Sequence, residues 1–250
     1  MARVSLLGAR MSGFSAAVDD YWNGVFAGGR ALWRGPSLSV SVDPGLDAQG
    51  RFRATALHTD AGARVALTPM LAQALALRED APLDLPGLAR ALAAAQAPWH
   101  GADHLFYLRS ERRAELLAEA PAAQVRALTG DDAAAFARFQ SQASAQDLDD
   151  AYVALDHPAA FGAFEGERLV CAASAYPWDG SSLMDLGVLT LVADRGRGHA
   201  RAVVRAIARH ALAHGGEPQY RCQLDHAASV ALAAAAGLSR YGQWDAVPAP

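Results

Sequence analysis

The sequence is short of most features that would take it outside the ordinary globular proteins. It has only two cysteines, Cys171 and Cys222, too few for a disulfide framework. Both sit in apolar runs that read as strands, and buried free thiols are expected. No stretch reaches the ~18 uncharged apolar residues of a membrane span. The start, MARVSLLGARMSGFSAA, has a short apolar run broken by Arg10 and lacks the h-region of a secretory signal. A cytoplasmic protein is expected, with no membrane partner. Positive charge is not in excess either: the formal net charge is −4, which argues against a nucleic-acid partner. Repeats are absent, and alanine enrichment is the one compositional bias.

The chain has 250 residues, 52% of them hydrophobic and 19% charged. That suffices for a real core in one large domain or two ordinary ones. In the first half, FSAAVDDYWNGVFAG has helical spacing and PSLSVSV alternates like a strand. RFRATALHTDAGARVALTP reads as a hairpin turning at Asp60–Gly62. Two helical stretches follow, MLAQALALR and LPGLARALAAAQ. DHLFYLRS is strand-like, and ERRAELLAEA is helical. This half, 1–120, reads as an α+β domain. The Ala/Pro-rich AEAPAAQ, 118–124, marks the expected boundary.

The second half, 125–250, reads β-α-β-β-β-glycine loop-α-β-α, a mixed α/β arrangement. Thr129 is a candidate N-cap, with Asp131 and Asp132 favourable in the first helical turn. A hairpin is expected to turn at Glu165–Gly166, before a mostly apolar strand, LMDLGVLTLV. Over 199–213, Ala200, Val203, Val204, Ile207 and Ala211 share one face of a helix, and Arg201, Arg205 and Arg209 the other. Gly215 and Gly216 end that helix.

Between that strand and that helix lies Arg195-Gly196-Arg197-Gly198-His199-Ala200. Glycines weaken both flanking elements, so bare backbone must serve a purpose there. A helix start carries unpaired N–H groups and partial positive charge, and binds phosphate readily. Arg195 and Arg197 would add charge at the rim. A Walker A loop needs a Lys and a hydroxyl that do not follow Gly198. A dinucleotide fingerprint needs a third glycine where Arg201 stands. The pattern [QR]-x-x-G-x-[GA] fits at every fixed position. An exposed RNA-binding RGRG tract is disfavoured by the single copy and the strand–helix frame.

With that loop, residues 125–246 resemble a GNAT-type (Gcn5-related) N-acyltransferase domain of the two-part bacterial kind. The family's downstream N-x-x-S-x(6–7)-G-[FL] is matched by His226-Ala227-Ala228-Ser229 and Gly237-Leu238. His226 replaces the usual asparagine. Ala234 stands where many members have the tyrosine that protonates the leaving thiolate, so the resemblance does not supply the acid.

The resemblance implies acetyl transfer from acetyl-coenzyme A to an amine acceptor, by direct attack on the thioester. Backbone amides of residues 195–200 would grip the pyrophosphate. Thr190, Leu191 and Val192 would form the splayed strand edge that pairs with the pantetheine arm and supplies an oxyanion donor. Asp185, on the same strand, is the candidate base, against an ordinary polar residue satisfied by an arginine. Ser229 would touch the cofactor or donate a proton, against a helix-start hydroxyl serving local backbone. His226 would bond the pantetheine arm, against a helix cap. His199 fills its loop position through its backbone. Tyr241 would supply the missing acid, against simple packing.

No metal is expected. His100, Asp103 and His104 have helical ligand spacing, but Gly101 and the strand-like HLFYL break it. Cys222 lacks a partner base and reads as a small hydrophobe. The first half would be a degenerate copy of the same fold, cover the acceptor pocket, or mediate dimerisation, leaving monomer and homodimer both open. The rival reading is a non-catalytic acyl-coenzyme A sensor.

Overall fold

The computed structural model describes residues 13–77 and 83–249. The N-terminal run around Arg10, Arg78 at the end of MLAQALALR, and Pro250 lie outside the described residues.

The chain opens with α1 (Ala16–Val25), which buries Val18 and Trp22. Its cap is Ser15, whose Oγ accepts the Val18 N–H at 3.4 Å. Then come β1 (Arg30–Arg34), β2 (Leu38–Val42), α2 (Pro44–Gln49), β3 (Phe52–Thr59) and β4 (Gly62–Leu67). The β3–β4 hairpin is the one expected from the sequence, whereas β1 and α2 were not legible. The helices α3 (Pro69–Leu75) and α4 (Leu85–Ala94), strand β5 (Asp103–Tyr107) and helix α5 (Ser110–Ala118) follow as expected.

The second half runs β6 (Val125–Ala127), α6 (Ala133–Gln140), α7 (Ala145–Ala151), β7 (Ala159–Glu165), β8 (Arg168–Pro177), β9 (Leu183–Thr190), α8 (His199–Ala213), β10 (Glu217–Gln223), α9 (Ala227–Ala235) and β11 (Ser239–Pro248). Helix α7 and strand β11 are additions to the expected order. The β7–β8 turn falls one residue later than expected, at Gly166–Glu167.

The fold is mixed α/β. Among the described residues eleven strands form one sheet, in the order β1-β2-β4-β3-β11-β5-β10-β9-β8-β7-β6. No helix or strand occupies 119–124, yet the sheet does not stop there. Strand β5 of the first half lies between β10 and β11, antiparallel to both. In return β11, the last strand, pairs with β3 of the first half.

Strand β8 is buried on both faces, which explains its apolar, alanine-rich run. Val170, Cys171, Ala173 and Ala175 pack under α8. Leu169 and Ala172 face a separate cluster with Phe136 and Phe139 of α6. Helix α8 buries Val203, Val204 and Ile207, each 1% exposed or less, and each such side chain contributes roughly 2 kcal/mol. Gly216 N–H bonds to Ala211 O at 2.8 Å and Gly215 N–H to Leu212 O at 3.2 Å, ending the helix at the glycines. Among the described residues no helix is long and apolar enough to cross a membrane.

Candidate functional site

Strands β9 and β10 run parallel from Leu183–Glu217 to Leu186–Tyr220, and there their pairing ends. Each continues with its other neighbour. Strand β9 stays on β8 as far as Thr190–Cys171, while β10 stays on β5 as far as Gln223–Asp103. The strands therefore part, and a cavity of about 800 Å³ lies at the fork. Gly187 to Thr190 line it from β9, Tyr220 to Gln223 from β10, and Ala228, Ser229 and Leu232 from α9.

Leu191 N–H donates to Val170 O at 3.0 Å, toward β8. Backbone groups alternate in direction along a strand, so Val188 and Thr190 present theirs to the gap. This corrects the expected edge of Thr190, Leu191 and Val192. Leu191 is 4% exposed in the α6 core, its N–H spent on β8, and Val192 opens a 3-10 turn with its side chain in solvent. The open edge lies upstream, from Gly187 to Thr190.

The glycine loop closes one end of the cavity. Gly196 and Gly198 have φ of 78° and 83°, left-handed values that cost other residues energy. A Cβ added at either would meet nothing within 4 Å. Among the described residues the N–H groups of Gly196, Arg197, Gly198, His199, Ala200 and Arg201 have no hydrogen-bond acceptor, and the first α8 bond runs from Ala202 N–H to Gly198 O at 3.1 Å. Such a row of unspent donors in open space suits an anion.

The loop's own arginines are not free at the rim. Arg195 donates to Thr190 O at 3.2 Å and to Asp147 at 3.1 Å. Arg197 donates to Glu165 at 2.9 Å, which His199 Nε2 also meets at 3.2 Å. Beneath them Asp194, 1% exposed, takes both Nη groups of Arg168 at 2.7 and 2.8 Å. That fork, ahead of the cost of burial, holds the Asp194 carboxyl below its ordinary range. These side chains fix the loop from below and leave its amides exposed.

Asp185 is buried in a saturated network. Its Oδ1 accepts from Gln219 Nε2 at 2.9 Å and Arg221 Nε at 3.1 Å, and its Oδ2 from Tyr176 OH and Arg221 Nη2, both at 2.9 Å. Arg221 also donates to Asp103 at 2.7 Å and stacks over Trp178 at 4.3 Å. Burial opposes the charge of Arg221, but Asp185 and Asp103 more than offset it, so the guanidinium is held above its ordinary pKa. Behind them, Gln219 Oε1 accepts the Tyr107 hydroxyl, which accepts Trp22 Nε1 at 2.8 Å. Asp185 thus has the arrangement of the arginine-satisfied alternative, with no oxygen left for a substrate proton.

His226 caps α9, its Nδ1 accepting Ser229 N–H at 3.2 Å. Both line the cavity, together with Asp185, Thr190, Arg195, Gly196, Gly198, His199 and Ala200. Tyr241 does not. It packs edge-on between Phe14 at 5.2 Å and Tyr107 at 5.5 Å and donates to Asp19 at 3.3 Å, so the expected acid is a packing residue. Asp103 is committed to Arg221, and His100 donates its backbone N–H to Ala246 O at 2.9 Å. Among the described residues no group of three or more His, Cys, Asp or Glu could hold a metal.

The sequence reading missed Tyr220, 3% exposed on β10. Burial raises its phenol to about 12, against a lowering hydrogen bond with Ser229. Alternation in QYRCQL puts Tyr220 and Cys222 on one face and Gln219 and Arg221 on the other, a signal that was present but unused. Tyr152 and Tyr176 also line the cavity. Burial pushes the Cys222 thiol up to about 11, the behaviour of an inert hydrophobe.

No family model matches the chain, and no curated protein does. Solved structures do. A GNAT-family protein from Novosphingobium aromaticivorans aligns over 74% of this chain and 82% of its own, with 16% identity and a TM-score of 0.50. The chain has the GNAT fold. A GNAT-family acetyltransferase from Colwellia psychrerythraea aligns over 62% of this chain, with 18% identity and a TM-score of 0.47, and this chain spans 58% of that protein. A GCN5-related N-acetyltransferase-like protein from Streptococcus suis aligns over 78% of this chain and 84% of its own, at 15% identity and a TM-score of 0.44.

Proposed function

We propose that the protein is an acyl-coenzyme A-dependent N-acyltransferase that moves an acetyl group from acetyl-coenzyme A to an amine. The observation that carries this reading is one juxtaposition: unspent loop amides stand at the end of a sheet gap whose β9 edge keeps the Val188 groups and the Thr190 N–H open, the Thr190 carbonyl being taken by Arg195. A diphosphate fits the amides of 196–201, and the absence of side chains at Gly196 and Gly198 lets it approach. An extended amide-bearing arm fits the edge at Val188 and Thr190, pairing as an added strand would. One of those N–H groups would face the thioester carbonyl and stabilise charge developing on its oxygen.

Residues 125–250 would form the catalytic unit. Residues 1–120 would complete the acceptor end, since Asp103 of β5 lines the cavity. Tyr220, still protonated at neutral pH, and Ser229 would donate a hydrogen bond or proton to the departing thiolate. Asp185 would position Tyr176 and Arg221 without taking a proton itself. The attacking amine would then lose its proton to water at the open acceptor end.

A second reading is a sensor that binds acyl-coenzyme A without turnover. Asp185's occupied oxygens favour it, as does Ala234. Mixing the protein with acetyl-coenzyme A and a broad amine panel separates the two. Free coenzyme A above background supports the enzyme, and tight binding without release supports the sensor.

A further inference from the structure

Two aromatic rings make a corner in the cavity. Tyr152 and Tyr176, both in its lining, stand 5.4 Å apart with their planes at 79°. Tyr176 pairs with Asp185 across β8 and β9, at the end of the open edge away from the glycine loop. His157 backs both rings, 5.3 Å from Tyr152 and 5.0 Å from Tyr176. The corner is held from behind. Ser174, fully buried on β8, accepts the Ala154 N–H at 3.1 Å and meets His157 Nδ1 at 2.8 Å, while Asp185 accepts the Tyr176 hydroxyl. Tyr152 ends α7 at a φ of 47°, a left-handed position where glycine or asparagine is usual. A tyrosine is strained there, yet its ring is 61% exposed, so core packing does not account for it.

Five carboxylates line the same cavity, and four are matched by arginine. Arg221 takes Asp103 and Asp185, Arg195 takes Asp147, and Arg168 takes Asp194. Asp150, two residues before Tyr152, is the exception. Its Oδ1 accepts from Gln146 Nε2 at 2.8 Å, a neutral donor, and among the described residues it has no basic partner. Burial, against the pull of Asp156, holds the His157 imidazole below its ordinary pKa, so that ring is uncharged at neutral pH. Crossed ring faces beside an unmatched carboxylate suit a cation.

The attacking amine is not that cation. It must reach the thioester uncharged, whereas a carboxylate and ring faces favour the charged form. We propose that Tyr152, Tyr176 and Asp150 bind a second, permanently charged group of the acceptor, so that the substrates are amines carrying a fixed positive charge at a distance from the attacking nitrogen. This rests on the N-acyltransferase reading above and names the acceptor class which that reading leaves open.

The probes are ω-aminoalkyl trimethylammonium ions with graded methylene spacers, each paired with the neutral isostere in which carbon replaces the quaternary nitrogen. Calorimetry reads their binding to the full chain saturated with coenzyme A, and a parallel assay reads coenzyme A release from acetyl-coenzyme A, per neutral amine. At the best spacer the charged amine should bind at least about fivefold more tightly than its isostere at low salt. Tyr152→Leu should bring that ratio within about twofold, Asp150→Asn should lower it, and Tyr152→Phe, which keeps the ring face, should retain it. Equal affinities at every spacer would overturn the proposal, and coenzyme A release from both series would leave the acyltransferase reading standing. A charge preference without release from any amine would overturn that reading and the acceptor role with it, as would failure to bind coenzyme A. A preference that survives Tyr152→Leu would overturn the assignment to the corner.

Discussion

Asp185 and Arg221 lie on adjacent strands with two guanidinium nitrogens on one carboxylate, Nη2 at 2.9 Å from Oδ2 and Nε at 3.1 Å from Oδ1. The pair stands where β9 and β10 part. It therefore helps hold the fork that makes the cavity, and its main effect is on the shape of the site. Asp185→Ala leaves the half-buried Arg221 with Asp103 as its one remaining carboxylate. Breaking a buried pair from one side costs about 3 kcal/mol or more, and a urea unfolding curve should show a loss of that order. If Asp185→Asn instead kept full stability and abolished turnover, the carboxylate would be a base after all.

A site without a free carboxylate base has a kinetic signature. Attack falls to the neutral fraction of the amine, so kcat/KM should rise with pH until the acceptor itself is deprotonated. Two acceptors whose amines differ by about two pKa units should give profiles displaced by about the same amount, since free-reactant groups set that profile. Profiles that coincide for both acceptors would point to an enzyme group instead.

Gly198→Val places a branched side chain in the open space above the loop, at a φ of 83°. The strain costs on the order of 1–2 kcal/mol, so the protein should still fold, as circular dichroism can verify. Acetyl-coenzyme A affinity should fall by about a hundredfold or more, because the side chain takes the place of several charge-assisted contacts. Undiminished affinity would remove the loop from the binding site.

The sequence carried the local features well and the pairwise ones poorly. The amphipathic period of α8 and the strand–glycine–helix frame are properties of neighbouring residues, and both are present as read. The fork between β9 and β10 depends on β5, more than 75 residues upstream, holding β10 in place. No local pattern announces such a non-consecutive pairing. The same holds for Asp185, whose partner Arg221 became visible only once the strands were laid side by side. Tyr241 lies away from the cavity for a related reason: β11 runs between β5 and β3 and sets its side chain against α1. Strand β1 alternates too weakly to be read, with its residues mostly exposed or half-buried.

Gly187 is required by contact. A Cβ there would lie 2.0 Å from the Ala151 carbonyl oxygen at the end of α7. Gly187→Ala must push α7 and Tyr152 outward, at about 1–3 kcal/mol for an overpacked site. Because Ala151 and Tyr152 line the cavity beside the open β9 edge, acetyl-coenzyme A affinity should fall several-fold and the acceptor's KM should rise with it. A variant unchanged in both would mean that α7 gives way without disturbing the site.

The start of the second half should show its own acid sensitivity. Arg126 donates to both oxygens of Asp132, at 2.9 and 2.6 Å, and Thr129 N–H donates to Oδ2 at 2.9 Å. Arg126 first, then the Thr129 amide, lower the Asp132 carboxyl from 3.8 to about 2. A carboxylate depressed in the folded state stabilises above its unfolded pKa and loses that contribution as pH falls toward its folded one. The contribution should therefore be complete at neutral pH and fade between about pH 4 and pH 2. Asp132→Asn cannot titrate, so its melting temperature should lie below the parent's at pH 6, and the gap should narrow by pH 3. A gap of constant size across that range would mean that Asp132 acts as a neutral cap, with no help from the Arg126 charge.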